Sequence, residues 1–278
     1  AWCLSGLLLA RLIGHCEDWP EAAAAARRAR LSFAGDAGLL AALGILAAHA
    51  GSVRIDAILA AATTMPPALA TASAVLLLAA AVARCAVPPF AGGLLSSMTA
   101  PTPVSALMHA GLVNAGGFLM IRFAPVFEAA PGARILAIAA GLFGAIYGVG
   151  IMLARPDVKR SLAGSTISQM GFMVMSCGLG AYGAALWHII AHGLFKAWLF
   201  LGSGSAIGMK PGAPAAPLPW LANLAAAAAT VGIALAIVSS GDGDATLVPL
   251  LLGLATAAAM LIGALRGRVG AGIKAVLV

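Results

Sequence analysis

His188, His192 and Lys196 stand four and four residues apart, in a stretch that carries no Asp, Glu, Lys or Arg between Ser161 and Phe195. On a helix of about 3.6 residues per turn, that spacing lays the three side chains along one face with a slow drift. Imidazole exchanges protons near neutral pH, and a lysine amine withdrawn from water can join it, so the stripe has the chemistry to pass protons. Two other readings fit the same residues. H-x-x-x-H can ligate a metal, although Ile189 stands where the H-E-x-x-H zinc motif has its glutamate. The histidines can also hydrogen-bond between helices and do nothing more.

Three further clusters carry polarity. Arg84 precedes Cys85-Ala86-Val87-Pro88-Pro89, where two prolines remove backbone donors and interrupt a helix, leaving carbonyls free beside a charge. Broken helices of this kind line sites in transporters, though a simple kink with Arg84 snorkelling to the interface explains the same residues. His109 follows Pro101-Thr102-Pro103, a good helix start, and Asn114 lies just behind it. The run from Arg155 through Asp157, Lys159 and Arg160 is most simply a charged membrane anchor.

The elements that must hold these groups are apolar. Hydrophobic residues make up 62% of the 278 positions and charged ones 9%, where a soluble domain carries about a quarter. Charge-free runs at 57–83, 85–121, 135–154 and 161–195 each reach the roughly 20 residues that cross a bilayer. The expected fold is all-α: a polytopic bundle of nine transmembrane helices near 1–14, 31–49, 68–98, 103–123, 132–154, 162–180, 182–208, 218–239 and 246–265. The third is expected to break at Pro88-Pro89. The Pro-rich stretch 209–219 reads as a linker between two helical groups, 1–208 and the C-terminal transmembrane helices of 220–278. Of the 16 Lys and Arg, ten fall in one set of alternate loops and the C-terminus, among them Arg27, Arg28, Arg30, Lys159 and Arg160. The other side carries only Arg54, Arg122 and Arg134. The positive-inside bias puts the ten in the cytoplasm. The four cysteines form no C-x-x-C pair, which leaves a disulfide framework, zinc ribbon or iron–sulfur site unsupported.

Three ordered segments carry a resemblance. Residues 101–117 (PTPVSALMHAGLVNAGG), 155–173 (RPDVKRSLAGSTISQMGFM) and 188–205 (HIIAHGLFKAWLFLGSGS) resemble the antiporter-like membrane subunits of respiratory complex I and of Mrp-type cation/proton antiporters. The resemblance covers about the first 208 residues. Family members have helices before the point where this chain begins, and the chain opens on Ala1 inside an apolar run, so a fragment is expected.

The resemblance implies a proton-conducting core in residues 1–208, with a chain of buried Lys, His and Glu residues near mid-membrane bracketed by broken helices. By motif it assigns the pathway to Arg84, His109, His188, His192 and Lys196. Asn114, Thr166, Ser168 and Gln169 become its lining, with Ser165 in the same matching segment. Asp157, Lys159 and Arg160 become a cytoplasmic polar turn. Departures point to a branch. Cys3 follows Trp2 where the family has glutamate, Arg84 replaces the broken-helix lysine, and 211–265 holds only Asp242 and Asp244 as charges. These features resemble the membrane subunit of a two-component inorganic-carbon pump of the bacterial inner membrane. Its expected partner is a soluble, zinc-bearing, carbonic-anhydrase-like protein, so no cofactor, metal or nucleic acid is expected on this chain. The alternative is a proton-pumping membrane subunit of an NADH:quinone oxidoreductase or an Mrp antiporter.

Overall fold

Proline and glycine punctuation sets the boundaries of an all-helical chain. The computed structural model describes residues 2–15, 18–154 and 158–203, and among these there is no strand. In order the helices are α1 (Trp2–Ile13), α2 (Pro20–Ala29), α3 (Phe33–Ala50), α4 (Ile55–Ala61), α5 (Pro67–Arg84), α6 (Ala91–Ser96), α7 (Thr102–Ala110), α8 (Ala115–Arg122), α9 (Ala124–Glu128), α10 (Pro131–Ala154), α11 (Val158–Gly178) and α12 (Tyr182–Ser203). Five segments are long and apolar enough to cross a membrane: Pro20–Ala50, Pro67–Arg84, Thr102–Arg122, Pro131–Ala154 and Tyr182–Gly202. The chain is a multi-pass membrane protein. The expected helices at 218–239 and 246–265, the linker at 209–219 and Asp157 lie outside the described residues.

The third expected helix is broken, and its end is built before the prolines. Val87 N–H reaches the carbonyl of Val82 and Ala86 N–H that of Ala83, the paired bonds of a Schellman cap. Ala86 takes the left-handed conformation at φ 52°, where an L side chain costs about 1–2 kcal/mol. The Pro88-Pro89 bond is cis. The end of α11 repeats this cap with Ala181 N–H to Ser176 and Gly180 N–H to Cys177, and there glycine holds the left-handed position at φ 84°. One cap is spelled in the sequence; the other is not.

Three expectations need correction. The fourth helix is not continuous: it stops at Ala110, passes Gly111 and a short 3-10 turn, and resumes at Ala115. A glycine and an asparagine at the junction, with packing on both sides, break it without proline. Residues 20–29, read as connection, form α2, because an Ala-rich stretch behind Pro20 has high helix propensity whatever its depth. Residues 55–61, also read as connection, form α4.

Small residues set the packing. A Cβ on Gly141, Gly148 or Gly171 would run into the facing backbone of the α10–α11 pair, so these helices meet backbone to backbone along their length. Gly116 packs against the Ala81 carbonyl and the Cys85 sulfur, and Gly117 against Met173, which wedges α8 between α5 and α11. With one face flush on α10, α11 turns another toward α12. At 21 residues it matches the spans in length, but it is absent from the apolar set because of its Lys, Ser, Thr and Gln content. That polar content is what positions the site.

Candidate functional site

Two buried polar centres form, and they are built differently. The first joins α7, α11 and α12. Lys196, 1% exposed, donates to the Leu162 carbonyl at 3.2 Å and to the Ser165 hydroxyl at 3.0 Å. The Thr166 hydroxyl donates to the same carbonyl at 3.0 Å and lies 3.0 Å from His109 Nδ1. A hydroxyl has one hydrogen, so both contacts are satisfied together only when His109 carries a proton on Nδ1, which in the neutral ring leaves Nε2 as a bare acceptor. His192 Nε2 lies 3.3 Å from the His109 carbonyl. A carbonyl can only accept, so His192 carries a proton on Nε2, and in the neutral ring Nδ1 is bare.

The α7 break makes this connection possible. The His109 carbonyl is taken by His192, and the neighbouring Ala110 carbonyl by the Asn114 amide at 2.7 Å. Gly193 lets α12 approach here, since a Cβ would stand 2.9 Å from the Ala110 oxygen. Farther along α12, the His188 ring stacks on that of His192 with centroids 5.5 Å apart, and Phe172 packs against it at the same separation. Phe200 stacks on His109 at 4.2 Å. His109 Nε2, His192 Nδ1, His188 Nε2 and Asn114 Oδ1 are buried and make no hydrogen bond among the described residues. Buried polar atoms rarely remain so.

The second centre surrounds Arg84, at the last turn of α5. Its Nη2 donates to Asp36 Oδ1 at 2.6 Å and to the Trp2 carbonyl at 3.1 Å. The Trp2 indole N–H donates to the same Asp36 oxygen at 2.9 Å, and its ring lies 4.7 Å from the guanidinium carbon. Gly6 leaves room for the guanidinium, because a Cβ there would stand 2.6 Å from Nη1. A small cavity of about 50 Å³ lies beside Arg84 and reaches Met108, Leu112 and Val113 at the α7 break.

The structure therefore groups His109, Thr166, His188, His192 and Lys196, with Asn114 beside them, and gives Arg84 its own set of partners. Gln169, one turn from Ser165 and three residues before Phe172, shares their face of α11. Ser168 lies at the α10 seam instead, its backbone against Gly148. Lys159 Nζ donates to the Ala100 carbonyl just before α7, and Arg160 lines a crevice with Glu21 and Arg28. Sequence reasoning missed Asp36. The available signal was a single carboxylate within an otherwise apolar span, which must find a cation. Among the described residues, no three of His, Cys, Asp and Glu gather closely enough for a metal ion.

The comparisons with known proteins agree with this architecture. All of 1–278 matches the family described as "NADH:quinone oxidoreductase/Mrp antiporter, TM". A relative described as "Probable inorganic carbon transporter subunit DabB1", from Halothiobacillus neapolitanus, is 42% identical over 74% of this chain and 38% of its own length. The "NAD(P)H-quinone oxidoreductase chain 5" of Synechocystis is also 42% identical, over 74% of this chain and 31% of its own. The chain thus spans about a third of these relatives. In fold it is similar to a chain of the membrane-bound sulfane sulfur reductase, an archaeal respiratory membrane complex. The TM-score is 0.71 at 18% identity, covering 93% of this chain and 58% of that one.

Proposed function

Because the chain belongs to the NADH:quinone oxidoreductase/Mrp antiporter family of membrane proteins, we propose that it is the ion-conducting membrane subunit of an inorganic carbon transport complex. The observation that carries the conducting role is the buried line from Lys196 through Thr166 and His109 to His192 and His188, with one unpartnered ring nitrogen on each histidine. The bare nitrogens of neutral His109 and His192 are proton acceptors at membrane depth, where an unsatisfied polar atom is costly unless water reaches it. Among the described residues Lys196 is held by neutral acceptors alone, so releasing its proton strands no carboxylate there. Protons, or Na⁺ in their place, would move down their gradient along this line. The soluble partner would be a zinc-bearing, carbonic-anhydrase-like protein that hydrates CO2 on the cytoplasmic side of a bacterial inner membrane.

The choice of branch rests on Cys3, on Arg84 and on the lack of Lys or Glu in 211–265. A second reading, a membrane subunit of an NADH:quinone oxidoreductase, is favoured by the equally similar Synechocystis relative. One experiment separates them. The complete protein is produced with a soluble zinc partner in a strain lacking carbonic anhydrase. Growth in air that an uncoupler abolishes is the expected result. No growth, together with co-purification of dehydrogenase subunits, selects the second reading.

A further inference from the structure

At the end of α1 opposite Trp2, Arg11, His15 and Arg30 line a crevice of about 500 Å³ between α1 and α2. Leu7, Ala10, Gly14 and Ala26 complete its walls, and the described residues lining it include no carboxylate. Below Arg11 the outer face of α1 is apolar and exposed: Leu4, Leu7 and Leu8 run back toward the start of the helix. At 1.5 Å per residue, Leu4 lies about 10 Å from Arg11 along the axis. Trp19, exposed just before α2, is the residue type that settles at headgroup level. The charge count puts this end of α1 on the cytoplasmic side, where the leaflet is rich in anionic lipid.

We propose that this crevice is a binding site for one anionic phospholipid of the inner leaflet, with its phosphate between Arg11 and Arg30 and an acyl chain along Leu7, Leu8 and Leu4. Two cationic side chains attract a phosphodiester by charge and donate hydrogen bonds to its oxygens, which the ammonium of a lysine can also do. The apolar stripe decides for a lipid over a soluble phosphate, since only a lipid brings hydrocarbon to cover it. The consequence reaches the interior. α1 carries the lipid at one end and, at the other, Trp2, which covers the Arg84–Asp36 pair.

The test is native mass spectrometry of the complete protein, titrated with phosphatidylglycerol or with phosphatidylcholine of the same chains. One phosphatidylglycerol is expected to stay bound where phosphatidylcholine does not. Arg11→Gln with Arg30→Gln should weaken that binding about tenfold or more. Arg11→Lys with Arg30→Lys should retain it, and Arg27→Gln, which is exposed and outside the crevice, should leave it unchanged. Four results overturn the proposal: undiminished binding in the glutamine pair, loss in the lysine pair, an equal loss in Arg27→Gln, or equal retention of phosphatidylcholine. Displacement of the lipid by millimolar inorganic phosphate would assign the crevice to a soluble anion instead.

Discussion

Arg84 and Lys196 are both cations buried at membrane depth, 7% and 1% exposed, yet they are held in opposite ways. Arg84 faces a carboxylate, a carbonyl and an aromatic ring. Lys196 faces a carbonyl and a hydroxyl, and the described residues give it no carboxylate. A paired charge in a poorly solvated place is stable where it is, and separating it is costly. A charge met only by neutral groups is held less firmly and, on a lysine, can be given up. Arginine has no such option. The pairing is thus matched to the side chain: the residue that cannot release its proton has the carboxylate, and the one that can stands beside the histidines. The Arg84 centre is suited to set a fixed field, and the Lys196 centre to move charge through it.

The sharpest way to break that contrast is at Lys196. Lys196→Ala should lower proton flux through the reconstituted complex on the order of 100-fold, the usual scale for losing a positioned proton carrier. Lys196→Arg keeps the charge and should fail almost as badly; full flux in that variant would mean that proton release at this position is not needed. At the other centre the first effect is on folding. Asp36→Ala should cost about 3–5 kcal/mol in denaturant unfolding, because Arg84 is left buried and unpaired. Adding Arg84→Ala should recover part of the loss, and an additive double variant would break the pairing argument.

Smaller effects sharpen the picture. Thr166→Val removes the acceptor of His109 Nδ1–H and should cost about 1–3 kcal/mol, reducing flux while leaving Lys196 on Ser165. Ala86→Gly should raise stability by up to about 1 kcal/mol in the same unfolding measurement, since it relieves the left-handed alanine that closes α5. Smallest of all is the ion pair in water. Arg54 holds the fully exposed Asp56 carboxyl below its usual range. Any stability from that depressed value is present above the unfolded pKa and disappears as pH falls through the folded one. Screening by solvent leaves little to lose, so Asp56→Asn should leave Tm unchanged at neutral pH.

Some of this was legible in the chain because composition and spacing act locally. Apolar runs longer than a bilayer is thick must be spans, and prolines at 88 and 89 must interrupt one of them. A 4-4 spacing must put His188, His192 and Lys196 on one face wherever that helix goes. The α11 cap was also legible, since Gly180 spells it, whereas Ala86 conceals the same geometry at the end of α5. The Gly111 break in the fourth helix was hidden for a related reason: glycine tolerates either conformation, and its partner contact, Gly193 of α12 against the neighbouring Ala110 carbonyl, is 83 residues away in the chain.

What sequence by itself determined is therefore the class of fold, the crossing segments and the chemical identity of the groups at membrane depth. Which groups meet was decided only by tertiary structure. Asp36 and Arg84 are 48 residues apart, and no local rule says that Gly35 and Gly6 open the space in which they join. His109 and His192 are 83 apart, and they are linked through a carbonyl that belongs to no motif. Pairing across a bundle depends on how closely helices approach and at what rotation. Those quantities are set by small residues on faces far away in sequence, such as Gly141, Gly148 and Gly171 at the seam that turns the polar face of α11 toward α12.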